Sequence, residues 1–257
     1  MAIDTASDRW ERLSPEFDQG VGERASIGLL ALATDRIGTL DTEAFIAAPG
    51  VAMFSTRIQS SPVATPESLA KLGEQLEQGT RLLVPGSRLD VIGFSCTSGT
   101  VAVGVAAVRA AIWRARPGIA VATPIEAGAK GLKALGARRI SLLVPYLPRT
   151  ADLVAGYFEA EGLVITRRAT FDLGGDPEMN RLSPGVLAKA ARAIDDPSSD
   201  AVFISCTGLR TSPIVAALEK ELGKPVVTSN QALAWDALRH AGVSDSIAGR
   251  GRLFTLA

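Results

Sequence analysis

Histidine occurs once and cysteine twice in the 257 residues of this chain. Two thiols and one imidazole cannot fill a four-ligand zinc site by themselves, so no metal is expected. Charge of one sign is also missing: 27 Lys and Arg stand against 27 Asp and Glu, for a formal net charge of zero. With no long basic run either, a nucleic-acid or anionic-membrane partner is not expected. Apolar residues make up 47% of the chain, yet none of their runs reaches the ~18 residues of a membrane span. The opening segment MAIDTASDRWERLSPEFDQG is polar and acidic. It lacks the basic start and apolar core of a secretory signal. A cytoplasmic location is the expectation, where both thiols stay reduced.

What is present is an alternation. ASIGLLALAT (25–34), GVAMFSTRI (50–58), LDVIGFSC (89–96) and GIAVATP (118–124) are short apolar runs of the kind buried parallel strands show. Between and after them lie helical patterns at 65–83, 101–116 and 125–136, the first opening on Thr65 as N-cap and Pro66 at the first helical position. The pattern then restarts. Strands are predicted at 138–146, 163–171, 200–206 and 224–230, and helices at 149–162, 183–195, 214–223 and 232–242. Strands alternating with helices define an α/β chain with parallel sheets.

The restart is an internal repeat. Ile27 of IGLLALAT corresponds to Ile140 of ISLLVPYL, Cys96 to Cys206, and AVATPIEA (120–127) to PVVTSNQA (225–232). Three correspondences in the same order point to two half-chains of like topology. The expected organisation is an N-terminal arm (1–24), a first α/β half (25–136) and a second (137–231). The C-terminal stretch 232–257 packs back on the first half.

Both cysteines sit in the same local setting, GFSCTSGT (93–100) and FISCTGLRT (203–211). Each ends a predicted strand and precedes small or hydroxyl residues and a helix. Ligands of open parallel sheets bind beyond the carboxyl ends of the strands. Backbone N–H groups and hydroxyls at Thr97, Ser98, Thr207 and Gly208 suit a small anion, and a helix N-terminus there lowers a thiol pKa. Two such ends facing each other would place Cys96 and Cys206 on opposite sides of one ligand. That is an arrangement for paired acid–base or nucleophilic chemistry at one carbon. A lone buried cysteine is ordinarily just a small hydrophobe; two in matched settings, with no other in the chain, favour the catalytic reading.

At these residues the chain resembles the aspartate/glutamate racemase superfamily. The likeness rests on IGLLALATD, GFSCTSG, LLVPY, ISCTGLRT and PVVTSNQALAWDALRHAG and spans roughly residues 25–257. It is nearest the branch of maleate cis-trans isomerases, arylmalonate decarboxylases and racemase-like proteins of ectoine utilisation. The resemblance implies two pseudo-twofold-related Rossmann-like halves with the active site between them, and no cofactor. It places Cys96 and Cys206 on the two catalytic cysteines. Decarboxylases keep only the second, so retention of both argues against decarboxylation. It further implies substrate-binding roles for Asp35, Thr97, Ser98, Tyr146, Asn180 and Thr207. Asp35 stands where maleate isomerases carry an asparagine and where amino-acid racemases carry an aspartate that partners the first thiol.

The remaining candidates read more plainly. His240 belongs to a helix surface or its packing. Arg210 and Arg57 are each balanced between a carboxylate contact and a structural charge. Trp113 and Trp235 fall in helical patterns as core or interface residues. GFSCTSG lacks the GxGxxG spacing of a dinucleotide site. The function expected is a two-cysteine isomerase of the racemase or epimerase type acting on a small carboxylate, with a diaminobutyrate derivative as the substrate that the ectoine likeness implies. The alternatives are a maleate cis-trans isomerase and a small-acid binding protein without turnover. A homodimer or higher homo-oligomer is the expected assembly.

Overall fold

The computed structural model describes residues 10–256; the first nine residues of the expected arm lie outside them. Residues 10–24 form no helix or strand, and their apolar side chains Trp10, Leu13, Phe17 and Val21 are exposed.

The first half runs β1 (Ala25–Leu32), α1 (Gly38–Ile46), β2 (Val51–Ile58), α2 (Pro66–Ala70), α3 (Gly73–Leu82), β3 (Val91–Phe94), α4 (Thr97–Val103), α5 (Val105–Ala115), β4 (Ala120–Ala122) and α6 (Pro124–Ala134). The second runs β5 (Arg139–Tyr146), α7 (Pro148–Ala160), β6 (Val164–Leu173), α8 (Asp176–Met179), α9 (Pro184–Ile194), β7 (Ala201–Ile204), α10 (Val215–Leu222), β8 (Val226–Thr228) and α11 (Ser229–His240). Each half holds one four-stranded parallel sheet, ordered β2-β1-β3-β4 and β6-β5-β7-β8. The repeat is exact in register at the centre. The ladder joining β1 to β3 begins at Ile27–Val91, and the ladder joining β5 to β7 begins at Ile140–Ala201. Cys96 and Cys206 follow Val91 and Ala201 at the same interval. β1, β3, β5 and β7 are buried at every position but Arg139, which explains their near-continuous apolar sequences.

Several expected elements are subdivided. The helix at 65–83 is α2 plus α3. The Thr65 cap is present, with Ser68 closing a capping box. The helix at 101–116 begins earlier, at Thr97, and is broken at Gly104, whose φ of 89° ends α4 and starts α5. Helix α1 carries no clear amphipathic stripe and was not expected from the sequence. Its start is organised from outside by Asp35, described below.

The final helix, α11, packs on α6, α1 and strands β1, β3 and β4, while α6 touches β8 and α7 of the other half. Polar groups tie the two halves together. On α1, buried Asp41 accepts hydrogen bonds from Thr211 N and Oγ1 (3.1 and 2.7 Å), Ser212 N and Oγ (2.9 and 2.7 Å) and Asn230 Nδ2 (2.9 Å). Thr211 and Ser212 belong to the segment that follows Cys206, so this carboxylate fixes the far side of the second thiol's turn. Asp41→Ala strands several buried donors and is expected to cost on the order of 3 kcal/mol or more. A fall in the urea midpoint with an unchanged slope would register it. On α11, Asp236 pairs with Lys130 of α6 and with His240 Nε2 at 3.4 Å. The only histidine is thus an exposed helix-surface group paired within its own helix.

Candidate active site

In each sheet the chain switches direction between its two central strands, β1 and β3 or β5 and β7, and the carboxyl ends of such a pair bound a crevice. The four ends supply Asp35, Cys96, Tyr146 and Cys206, and all four line one small cavity between the halves. Its other walls include Ser95, Thr97, Ser98 and Thr207 from the two Ser-Cys-Thr segments. Asp176 and Met179 come from α8, and Ser60, Ser61, Val63 and Ala64 from the loop after β2. The cavity holds about 30 Å³, room for roughly two waters. Ser60, Ser61, Ser68 and Leu72 also line a second, larger groove of about 390 Å³ bordered by Lys71 and Glu74. The loop and α2 therefore separate the inner cavity from an outer vestibule.

Both thiols are free and buried. Cys96 is the N-cap of α4, its Sγ accepting from Gly99 N at 3.2 Å. Cys206 Sγ accepts from Gly208 N at 3.3 Å. The backbones differ: Cys206 has φ of 103°, a region where a side-chain-bearing residue is strained, whereas Cys96 is extended.

The expected lowering of the thiol pKa is reversed. Burial, followed by the negative charge of Asp176, pushes Cys96 up to about 12 despite the help of Gly99 N–H and Ser98. The same two causes raise Cys206. Desolvation outweighs the amides because a thiolate in this closed cavity has almost no water. Both residues are therefore neutral thiols from neutral pH through the ordinary cysteine range near 9. Iodoacetamide is expected to modify ligand-free protein far more slowly than free cysteine at pH 8, as peptide mapping would report.

The hydroxyls are largely committed. Thr97 Oγ1 donates to Ser229 Oγ at 2.8 Å, and Ser229 Oγ in turn accepts from Cys206 N at 3.0 Å. Thr207 Oγ1 donates to the carbonyl of Ser95 at 3.0 Å. Each Ser-Cys-Thr segment thus holds the other half's, a use of the two threonines that the sequence reading assigned to ligand binding. The Thr97 and Ser98 amides, first in α4, have no intrahelical acceptor. Tyr146 is buried with its hydroxyl 3.3 Å from Ser205 Oγ, and burial pushes its pKa well up.

Asp35 has a structural role that the sequence does not announce. It borders the cavity, and its carboxylate organises the start of α1, accepting from Ile37 N, Gly38 N and Thr39 N and Oγ1 at 2.6–3.0 Å. Its hydrogen bonds give it a structural role at the start of α1 beside any part it plays in the cavity it borders. Arg57 donates to the carbonyls of Leu32 and Asp35 from behind this turn, and Arg210 donates to the carbonyl of Leu182; neither lines the cavity. Asn180 is not a cavity wall, though its Nδ2 reaches Thr34 O at 3.5 Å across the cleft. The acid that does face the cavity is Asp176, held on one oxygen by the Thr34 hydroxyl. In sequence it sits in GGDPEM, where Asp before Pro signals a helix start, so nothing marked it as a site residue.

Trp235 is buried on α11, and Trp113 donates its indole N–H to Ile119 O; neither lines the cavity. Among the described residues no group of three or more His, Cys, Asp or Glu could hold a metal, and no helix is long and apolar enough to cross a membrane.

Two α/β halves of like topology presenting one thiol each to a shared cleft define a class of two-thiol cleft protein. Comparison with known proteins makes it specific. The family model for arylmalonate decarboxylase matches residues 95–254. Maleate isomerase of Nocardia farcinica is 31% identical over 207 residues, covering 77% of this chain and 82% of that protein. Arylmalonate decarboxylase of Bordetella bronchiseptica is 35% identical over 144 residues, or 55% of this chain and 60% of that one. Among solved structures, the Nocardia farcinica maleate cis-trans isomerase, as a cysteine-to-serine mutant with a covalently bound succinylcysteine intermediate, superposes with a TM-score of 0.82 at 26% identity, covering 90% of this chain and 98% of that one. The chain belongs to the arylmalonate decarboxylase family, within the Asp/Glu racemase-like superfamily. It is an enzyme, and the reading as a binding protein without turnover is set aside.

Proposed function

We propose that this enzyme is an isomerase of a small carboxylic acid that works through Cys96 and Cys206. The observation that carries this is the presence of both thiols, one from each half, on the walls of a single cavity. The succinylcysteine of the related maleate isomerase supports a covalent route.

On this reading the carboxylate of a cis-unsaturated acid is held by the Thr97 and Ser98 amides and the Ser98 hydroxyl. Burial is the leading cause of the raised thiol pKa values. Cys96 therefore loses its proton to solvent while the cleft is open, and acts after it closes. Its thiolate adds to one alkene carbon, and the electron pair of the double bond takes a proton from the Cys206 thiol at the neighbouring carbon. The C–C bond, now single, rotates. Cys206 thiolate removes that proton again, the double bond re-forms, and Cys96 leaves as thiolate. Atoms and charge are unchanged overall.

Racemisation uses the same pair differently. One thiolate removes a proton beside the carboxylate and the other thiol returns one from the opposite face. The placement of the thiols on opposing halves supports it equally. Proton NMR of a panel of small acids in heavy water separates the two: a trans product marks the first, and deuterium at the carbon beside the carboxylate of an otherwise unchanged acid marks the second. Turnover that survives in both Cys96→Ala and Cys206→Ala would sink the proposal.

A further inference from the structure

The cavity contains an acid that the two-thiol chemistry does not use. Asp176 Oδ2 is held by the Thr34 hydroxyl, while Oδ1 has no hydrogen-bond partner among the described residues. Nearby, Asn180 turns its Nδ2 to the carbonyl of Thr34, which leaves its Oδ1 as an acceptor; that oxygen is buried and has no partner. Both oxygens lie close to Gly208. Around the bare face of Gly208, the position a Cβ would occupy lies 3.2 Å from Asn180 Oδ1, 3.5 Å from Cys206 Sγ and 3.8 Å from Asp176 Oδ1. No Lys, Arg or His lines the cavity. Asp176 thus faces the cavity beside the second thiol as an acceptor with no cation to balance it, and Asn180 Oδ1 lies buried behind it.

Such a carboxylate repels a second carboxylate and favours a group that donates to its open oxygen. We infer that Asp176 selects a substrate whose second functional group is a nitrogen donor, an ammonium or a primary carboxamide, in place of a second carboxylate. The first carboxylate stays at the Thr97–Ser98 amides, across the cleft. A donor bound at Asp176 has a second effect. It offsets the negative charge that, after burial, does most to hold both thiols neutral. Substrate of the right kind eases formation of the thiolate that attacks it, and a dianion does not. This inference rests on the isomerase reading for the chemistry but on the cleft alone for the preference.

The test compares maleate with its monoamide, maleamate, followed by proton NMR for the trans product. Binding is measured separately by the melting-temperature shift with the unreactive succinate and succinamate. Wild type is expected to favour the monoamide in kcat/KM, and succinamate over succinate in binding. Asp176→Asn, which replaces the carboxylate by a neutral amide of the same shape, is expected to shift both ratios toward the diacid by about 10- to 100-fold, the scale of one charge-assisted hydrogen bond. The melting temperature of ligand-free Asp176→Asn controls for folding. Preference for succinamate without turnover of either alkene would fail the isomerase reading and leave this one standing. A wild type that favours the diacid, ratios unmoved by Asp176→Asn, or stabilisation by neither ligand would overturn it.

Discussion

Replacing either thiol, as Cys96→Ala or Cys206→Ala, is expected to lower kcat by about 10³-fold or more while leaving the fold intact. Positioned acid–base groups contribute on the order of 10²–10⁴ each, and loss of a nucleophile removes the covalent route altogether. The two effects should not add. Once one member of a pair that acts in concert is gone, removing the other costs little, so the double variant should resemble the singles. The two variants should nonetheless differ in kind. In the cis–trans mechanism Cys96 forms the covalent adduct. Cys206→Ala should therefore still trap thiol-linked substrate, visible as an added mass on Cys96 in a peptide digest, whereas Cys96→Ala should show none. The folded state should tolerate both changes, since alanine keeps each buried site apolar and small. A residual kcat within tenfold of wild type in either variant would remove that thiol from the mechanism.

The second large effect is expected at a glycine that makes no contact of its own with either thiol. Gly175 precedes α8, and a Cβ built on it would lie 1.8 Å from the carbonyl oxygen of Pro62 and 3.2 Å from Val63 Cα. These atoms are backbone, so no side chain can swing aside to make room. The loop after β2 closes over the cavity by lying on this glycine, with Ala64 N donating to Gly174 O at 2.9 Å and Thr150 Oγ1 donating to Ala64 O at 2.9 Å. A four-carbon acid needs more space than the closed cavity has, so the loop must lift to admit it and reseat to shut out water. Gly175→Ala is expected to leave the protein folded but unable to reseat. Loss of kcat of about 10²-fold is expected, the scale on which misplacement of about 1 Å acts. Burial of the thiols would be relieved with it, so iodoacetamide labelling of Cys96 at pH 8 should speed up in this variant as turnover falls. Opposite movement of the two readouts distinguishes a failed closure from general unfolding, which would also drop the melting temperature. Slow labelling together with normal turnover would show that the loop seats elsewhere.

The alternation of elements, the two sheets and the matched cysteines were legible because buried parallel strands have near-continuous apolar sequences and the repeat preserves their spacing. What was not legible depends on contacts between segments far apart in the chain. The start of α1 hangs on Asp35, and an Asp after a strand reads equally as a cap or as a ligand contact; only the four donors around it reveal the cap. Thr97 and Thr207 were correctly placed beside the thiols, but their partners, Ser229 and the Ser95 carbonyl, lie in the opposite half. Asp176 was hidden by its helix-start signature. The raised thiol pKa values come from closure of the cavity, a property of the assembled halves that no local motif carries. Local sequence thus located the chemistry, and the long-range packing set its electrostatics.

The crossed threonine contacts carry a consequence for how such a chain can be altered. Thr97 reaches Ser229 beside Cys206, and Thr207 reaches Ser95 beside Cys96. Each half is therefore part of the other's scaffold, and neither carries a finished thiol turn of its own. A half exchanged for that of a relative keeps the Ser95 carbonyl, which any residue supplies, but keeps the Thr97–Ser229 contact only if both hydroxyls are retained. The duplicated halves are thus joined at their thiol turns by one side-chain pair, Thr97 with Ser229, and one side-chain-to-backbone contact, Thr207 with Ser95.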